Sequence, residues 1–433
     1  MNEKTFFLLT VLFPFVVCCS YKEKESNTKS TGLKSKPRVV VSTDIGGTDP
    51  DDNQSMIHFL MYADKFQTEG LISSPYGEGR KSEILRMIDM YEKDYTKLKA
   101  HGDFPEADEL RKVTKQGALV ANLANGWGEP TEGSDWIIQK AKEDNEDPLW
   151  ILVWGGLEDV AQALHDAPEI AAKIRVYWIG GPNKKWSVHS YLYIARNFPD
   201  LWMIEANSTY RGWFDDRNSK GEMENDLFYD NFMKGMGVLG TDFIHYYKGS
   251  IKMGDTPSLA YLLNGDPSDP TGESWGGSFT RLPYSSFRVF TSNTSQSDTV
   301  PVYGVIEFEF RSDAPETNDS PEIWMKIDGQ RIDGFYEGSG VYKVRFVPKR
   351  IGNWDYVINC EDEGIDGQAG KFVSVNPWPG KENENNFTLN NWWSDRSDPD
   401  LYLGEYQGAK TVSKWREEYL TDWVERLSWL KEL

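Results

Sequence analysis

The chain has 433 residues, a formal net charge of −21 and a pI near 4.8. A phosphate backbone needs a basic footprint, so this balance excludes nucleic acid as an expected partner. Its 17 Trp, 21 Tyr and 21 Phe, in a chain of mean hydropathy −0.59, raise the expectation of a glycan, because polar-rimmed aromatic faces are what sugar rings stack on; most of these rings are still expected in cores.

At the start, Lys4 supplies a positive charge, Phe6 to Val17 is a short apolar run interrupted by Pro14, and Cys18-Cys19-Ser20 follows. That run is too short to span a bilayer. Residues 1–18 resemble a bacterial lipoprotein signal, with Cys18 or Cys19 as the lipidated residue. They depart from it in Val16 and Val17, where small residues are usual. A plain secretory leader cut after Cys19 is the alternative. Residues 19–36, rich in Lys, Glu, Ser and Thr, suit a solvated tether. The expectation is an exported protein, periplasmic or at the cell surface, that meets the membrane only through a lipid anchor. Cys360 is then the one cysteine left, so the fold has no intrachain disulfide framework.

Residues 37–290 alternate strand and helix patterns. Arg38 to Thr43 is a β-branched run, and Asn53 to Phe66 carries apolar residues at helical spacing. Gly70 to Ile72, Leu149 to Trp154, Ile174 to Ile179 and Leu201 to Glu205 are further strands. Ser82 to Tyr91 and Leu157 to His165 are helices between them. This alternation predicts an α/β fold, a mostly parallel sheet with helices on both faces. Ligands bind such folds at the carboxyl ends of the strands. Four predicted strand ends carry polar or Gly-rich sequence: Asp44 to Gly47, Gly155-Gly156, Gly180 to Asn183 and Glu205 to Asn207.

The most specific element is Ser42-Thr43-Asp44-Ile45-Gly46-Gly47-Thr48-Asp49-Pro50-Asp51-Asp52, with four carboxylates within nine positions. Their repulsion is relieved by a hard cation such as Ca2+, which takes six to eight oxygens. Helix capping by Asp51 or Asp52 explains only one of them. Here the sequence resembles the nucleoside hydrolase superfamily, and more closely the nucleoside-hydrolase-like domain of bacterial proteins described as cellulose-binding. The resemblance covers Pro37 to about Phe279. It rests on T-D-I-G-G-T-D-P-D-D-N-Q-S (43–55), W-I-G-G-P-N (178–183), F-P-D-L-W-M-I-E-A-N-S-T-Y-R-G (198–212), G-D-T-P-S (254–258) and W-G-G-S-F (275–279), with K-W-R-E-E-Y-L-T-D-W (414–423) matching the family's final helix.

The resemblance implies that Asp44, Asp52 and Asp255 ligate Ca2+ and that Glu158 adds its main chain. It also implies that Asp44 is the general base, with Asp51 a hydroxyl acceptor or alternative base, for water attack at an anomeric carbon. Three departures stand out. Ser42 takes the place of the motif's first Asp, the loop from Asp44 to Asp52 is longer, and Gly254 replaces the His that assists nucleobase departure. A glycosidic bond with a sugar leaving group therefore fits better than a nucleoside. Asp49, Asn183, Glu205, Asn207 and Arg211 are candidate substrate contacts at strand ends, against the alternative of satisfied turns. His189 is a candidate acid or sugar contact, and Trp154 and Trp275 are candidate stacking platforms; structural roles are the alternative for each.

Residues 291–376 change character. Thr291 to Asp298 reads as a linker, and Val302 to Phe310, Ile323 to Ile327, Val341 to Phe346 and Trp354 to Ile358 read as strands of a small β-sandwich. The run at 327–356 resembles the immunoglobulin-like domain that accompanies polysaccharide-degrading glycosidases, which implies a spacer or a wall of the cleft. Residues 377–433 read as a linker through Trp393 and then a helix from about Thr411. Its Val412, Trp415, Tyr419, Trp423, Leu427 and Leu430 share one face, which is expected to return to the first domain. The functional expectation is a calcium-dependent glycosyl-bond hydrolase acting on an extracytoplasmic oligosaccharide or glycoside. The alternatives are a non-catalytic glycan-binding lipoprotein and an N-ribosyl hydrolase.

Overall fold

The computed structural model describes residues 36–47, 50–75, 80–217, 221–245, 247–312 and 322–431; Cys18, Cys19 and Asp49 lie outside them. Seven strands come first: β1 (Arg38–Thr43), β2 (Gln67–Ser73), β3 (Thr114–Gln116), β4 (Leu149–Val153), β5 (Ile174–Ile179), β6 (Trp202–Ala206) and β7 (Phe279–Arg281). With the strand Trp392–Asp395 they form one sheet in the order β3, β2, β1, β4, β5, β6, Trp392–Asp395, β7. All neighbours pair in parallel except β7, which runs antiparallel to Trp392–Asp395.

Every residue of β1 is buried, as a strand covered on both faces requires. Its side chains divide between two cores by the alternation of the strand. Val39 and Val41 join the helices Asp51–Met61, Arg80–Lys99, Thr256–Leu263 and Arg416–Ser428. Val40 joins Glu132–Lys142, Glu158–Asp166 and Val188–Asn197 on the other face. The chain runs from β1 outward through β2 to β3, then returns to place β4 on the opposite side of β1. The crevice between the ends of β1 and β4 is therefore the topological switch point, where α/β folds bind ligands.

After β7 the chain builds two further sheets. One holds Phe335–Gly338, Val341–Phe346, Val305–Arg311 and Phe287–Phe290, in that order. The other holds Gln330–Asp333, Ile323–Ile327, Gly352–Cys360, Ala369–Val375 and Thr299–Pro301. Phe308, Phe346, Trp354 and Phe372 fill the space between them.

Two sequence expectations are corrected. Phe287–Phe290, read as the end of the first domain, pairs in parallel with Val305–Arg311, so the sandwich begins before residue 291. Thr291 to Asp298 is correspondingly a crossover within it, tied by Lys371 N to Thr294 O at 3.0 Å. The stretch to Trp393 is not a linker either. Trp378 is 1% exposed, held by Gln407 through its backbone N and O at 2.9 Å each, and Trp392 opens a strand of the main sheet. The helix Arg416–Ser428 sends Tyr419, Leu420, Trp423 and Leu427 into the larger core, where Arg426 pairs with Asp64 at 2.6 Å.

Candidate functional site

β1 ends in a tight turn, with Gly47 N donating to Asp44 O at 3.0 Å and Gly46 at φ +81°, a left-handed value that favours glycine. The following helix opens with Asp51 and Asp52 in its first turn, and the capping position itself is Pro50. Neither aspartate is therefore used as the cap. Asp255 stands before the helix Thr256–Leu263 and makes no side-chain cap hydrogen bond. Ligand atoms of Asp51, Asp52 and Asp255 all lie within 4.8 Å of one another, a group that could hold a metal ion. Burial, then Asp255, Asp44 and Asp51, push the Asp52 carboxyl well above the usual carboxylate range, against a hydrogen bond from the Thr43 hydroxyl. An all-carboxylate set in which like charges are forced together suits a hard cation, whose charge reverses the repulsion.

Lys252 Nζ stands 3.5 Å from Asp51 Oδ2. A Cβ added at Gly254 would overlap that same oxygen, so a side chain at 254 would require Asp51 to move its carboxylate.

Asp44 is half-buried at the switch point, and a Cβ at Gly155, just past β4, would come within 2.8 Å of its Cβ and Cγ. Two cavities meet there, both lined by Asp44, Asn183 and Trp186. The first, about 410 Å3, is walled by Pro75, Leu119, Val120 and Ala121, with Glu158 and Ser187 as further polar lining. The second, about 500 Å3, is lined by Gly47, Pro182, Arg211, Lys349, Arg350, Glu405 and Tyr406. Asn183 donates its amide to Trp154 O at 2.9 Å and Ile179 O at 3.0 Å, which fixes its side chain at this junction.

Glu158 is 1% exposed, its carboxyl group buried beside the Ser187 hydroxyl. Burial raises this carboxyl to about 8, the Ser187 hydroxyl offsetting part of the effect. Its main-chain oxygen accepts from Asn122 Nδ2 at 3.4 Å.

The remaining sequence candidates sit elsewhere. Glu205 is fully buried in an ion pair with Lys184 and accepts from Tyr191 Oη at 3.2 Å and Asn207 Nδ2 at 2.8 Å, which makes it a core group rather than a substrate contact. Asn207, also fully buried, accepts from Gly181 N at 3.1 Å and braces the strand ends. His189 meets Arg345 at 2.9 Å and the edge of Phe335 in the sandwich; burial and then Arg345 lower it to about 3, so it is neutral and packed away from both cavities. Trp154 is 1% exposed with Nε1 on Ser258 Oγ at 2.8 Å, a core residue. Trp275 packs half-buried against the larger core and lines neither cavity. Arg211 alone of this group reaches a cavity beside Asn183.

Sequence reasoning missed five contributors. Trp186 is the only tryptophan among the exposed large apolar residues described, at 47% exposure. Lys349 and Arg350 come from a turn of the sandwich. Asp395 receives the backbone N–H groups of Asn207, Ser208 and Thr209 at 3.2, 2.8 and 3.1 Å, and so holds the loop that carries Arg211. Asp159 accepts from Ala118 N at 2.9 Å and from Thr131, anchoring the loop of Leu119 to Ala121. Only Trp186, directly after a predicted strand-end motif, carried a local signal.

Comparison with known proteins places these features in a family. Residues 38–279 match the family model described as cellulose-binding Sde182, nucleoside hydrolase-like domain, and residues 299–361 match a domain of unknown function, DUF5060. No curated protein matches the chain. Among solved structures, a nucleoside hydrolase-related hypothetical protein from Saccharophagus degradans, associated with carbohydrate metabolism, is 19% identical over 78% of this chain and 99% of its own, with a TM-score of 0.49. The inosine-uridine preferring nucleoside hydrolase from Bacillus anthracis is 13% identical over 90% and 99%, with a TM-score of 0.40. The purine-preferring ribonucleoside hydrolase from Gardnerella vaginalis is 16% identical over 57% and 82%, with a TM-score of 0.32. With more than half of its length inside the first match, the chain belongs to the Sde182 nucleoside hydrolase-like family.

Proposed function

We propose that this protein is an exported, lipid-anchored hydrolase of glycosyl bonds, acting on an oligosaccharide or glycoside at the switch-point cleft and dependent on calcium. The observation that carries this reading is the position of Asp44. Its carboxylate is common to two cavities and lies within electrostatic reach of Asp52 in the three-aspartate cluster. Asp51, Asp52 and Asp255 would hold the ion, which when bound supplies a positive charge that acidifies water and orients vicinal sugar hydroxyls. Asp44 then acts as general base: it takes a proton from water as the water oxygen bonds to the anomeric carbon. The glycosidic C–O bond breaks with its electrons on the leaving oxygen, which takes a proton from solvent water and departs as an alcohol, while Asp44 returns its proton to solvent. Asn183, fixed by its two backbone bonds, positions a hydroxyl beside Asp44. A nucleoside substrate is disfavoured because glycine at 254 supplies no side chain to protonate a leaving base.

The family description favours a second reading, glycan binding without turnover. The two separate in one experiment. Purified protein with calcium is incubated with aryl glycosides, plant and algal oligosaccharides and nucleosides, wild type beside Asp44→Asn, with circular dichroism confirming that both fold. Sugar release lost in the variant supports the hydrolase; sugar binding with no release by either protein overturns it in favour of the binder.

A further inference from the structure

The second cavity has a charge opposite to that of the molecule. In a chain of net charge −21, Arg211, Lys349 and Arg350 face a space whose carboxylates are Asp44 and Glu405. Arg350 is shared with Asp328 at 3.0 Å and lies 4.3 Å over the Trp354 ring, which fixes its direction. Arg211 is sandwiched near Tyr406, its Cζ 4.7 Å from the ring, and its Nε is buried without a hydrogen-bond partner. Lys185, behind Trp186 with its Nζ 4.0 Å over that ring, feels the same field: burial first, then Lys349, lower its ammonium to about 8, against the pull of Asp328. A positive concavity on an acidic protein is a selective feature, because the rest of the surface repels the anions this pocket attracts.

Geometry links the cavity to the reacting centre. The two cavities share Asp44 and Trp186, so a chain of sugar rings can cross Asp44 with one ring on each side and a ring face against the exposed indole. We propose that the substrate is an acidic oligosaccharide, whose uronate carboxylate or sulfate is received by Arg211, Lys349 and Arg350 while the neighbouring sugar occupies the apolar-walled cavity beside Glu158. Guanidinium groups suit either anion, since their planar forks bind carboxylate and sulfate oxygens in pairs. The sandwich is in this account part of the binding site. This inference rests on the reading of Asp44 as the reacting carboxylate.

The test is calorimetric titration of the full soluble protein, in calcium and at low salt, with short oligogalacturonides, chondroitin sulfate oligosaccharides and cello-oligosaccharides. One anionic series is expected to bind at least about tenfold more tightly than the neutral one and to weaken at high salt. Which series binds distinguishes carboxylate from sulfate. Lys349→Glu, at an exposed turn, is expected to remove that preference while the calcium-induced thermal shift stays at the wild-type value. Arg211→Gln, checked for folding by circular dichroism, is a second variant with the same expected loss. Neutral oligosaccharides binding as tightly as anionic ones, with Lys349→Glu silent, would overturn the inference and leave the glycan reading standing. Binding of none of the three series would overturn the glycan reading itself.

Discussion

At the scale of single residues, the cleft is set by what glycine leaves open. Gly155, Gly156 and Gly254 each face a carboxylate: Asp44, Glu158 and Asp51. Added methyl groups at these positions would occupy the space those side chains need. Gly156→Ala would collide with Glu158 Oε2 and approach Pro75 Cδ to 2.8 Å, so it should cost about 1–3 kcal/mol by overpacking. Denaturant unfolding of Gly156→Ala, Glu158→Ala and the double variant gives the coupling. The cost of the methyl should shrink when Glu158 is already Ala; an unchanged cost would show that the collision is with Pro75 alone. Residue type was a poor guide to role here. Glu205, Asn207 and His189 are the side chains expected at a sugar site, yet each is consumed by a partner that local sequence does not disclose: Lys184, Gly181 and Arg345.

At the scale of elements, the strand Trp392–Asp395 does the most unexpected work. It follows the sandwich in the chain and re-enters the main sheet between β6 and β7. There Asp395 organises the 207–209 backbone and, through it, the placement of Arg211. Asp395→Ala would strand three buried donors. The expected loss is about 2–4 kcal/mol in denaturant unfolding, with weaker binding of anionic oligosaccharide, while Asp395→Asn, which keeps an acceptor oxygen, should lose less. Equal stability of wild type and Asp395→Ala would remove this strand from the account of the site. The strand escaped sequence reading because it is four residues long, lies among Asn, Gly and Pro, and pairs with residues nearly two hundred positions away.

For the whole molecule, a cation held by the acidic cluster would tie stability to its binding. Asp255 lies about two hundred residues beyond Asp51 and Asp52 in the chain, so the site exists only in the folded state, and an ion bound there would stabilise that state alone. At a free concentration about a hundred times Kd the gain is about 2.7 kcal/mol. Thermal melting should therefore rise with calcium, fall on chelation, and lose its calcium response in Asp52→Asn. A calcium response unaltered in that variant would place the ion elsewhere.

What the sequence determined by itself follows from short-range physics. β-branched runs predicted β1, β4 and β5, apolar spacing predicted the helices on either side of the sheet, and the density of aspartates after β1 marked the acidic loop as a candidate cation site. Those signals are local because strand and helix periodicities and charge crowding act within a few residues. Tertiary structure alone decided which carboxylates converge, which sugar-like side chains are buried, and that a turn of the sandwich brings Lys349 and Arg350 to the cavity of Asp44. Such outcomes depend on long-range pairing and packing, for which a single sequence carries no periodic signature.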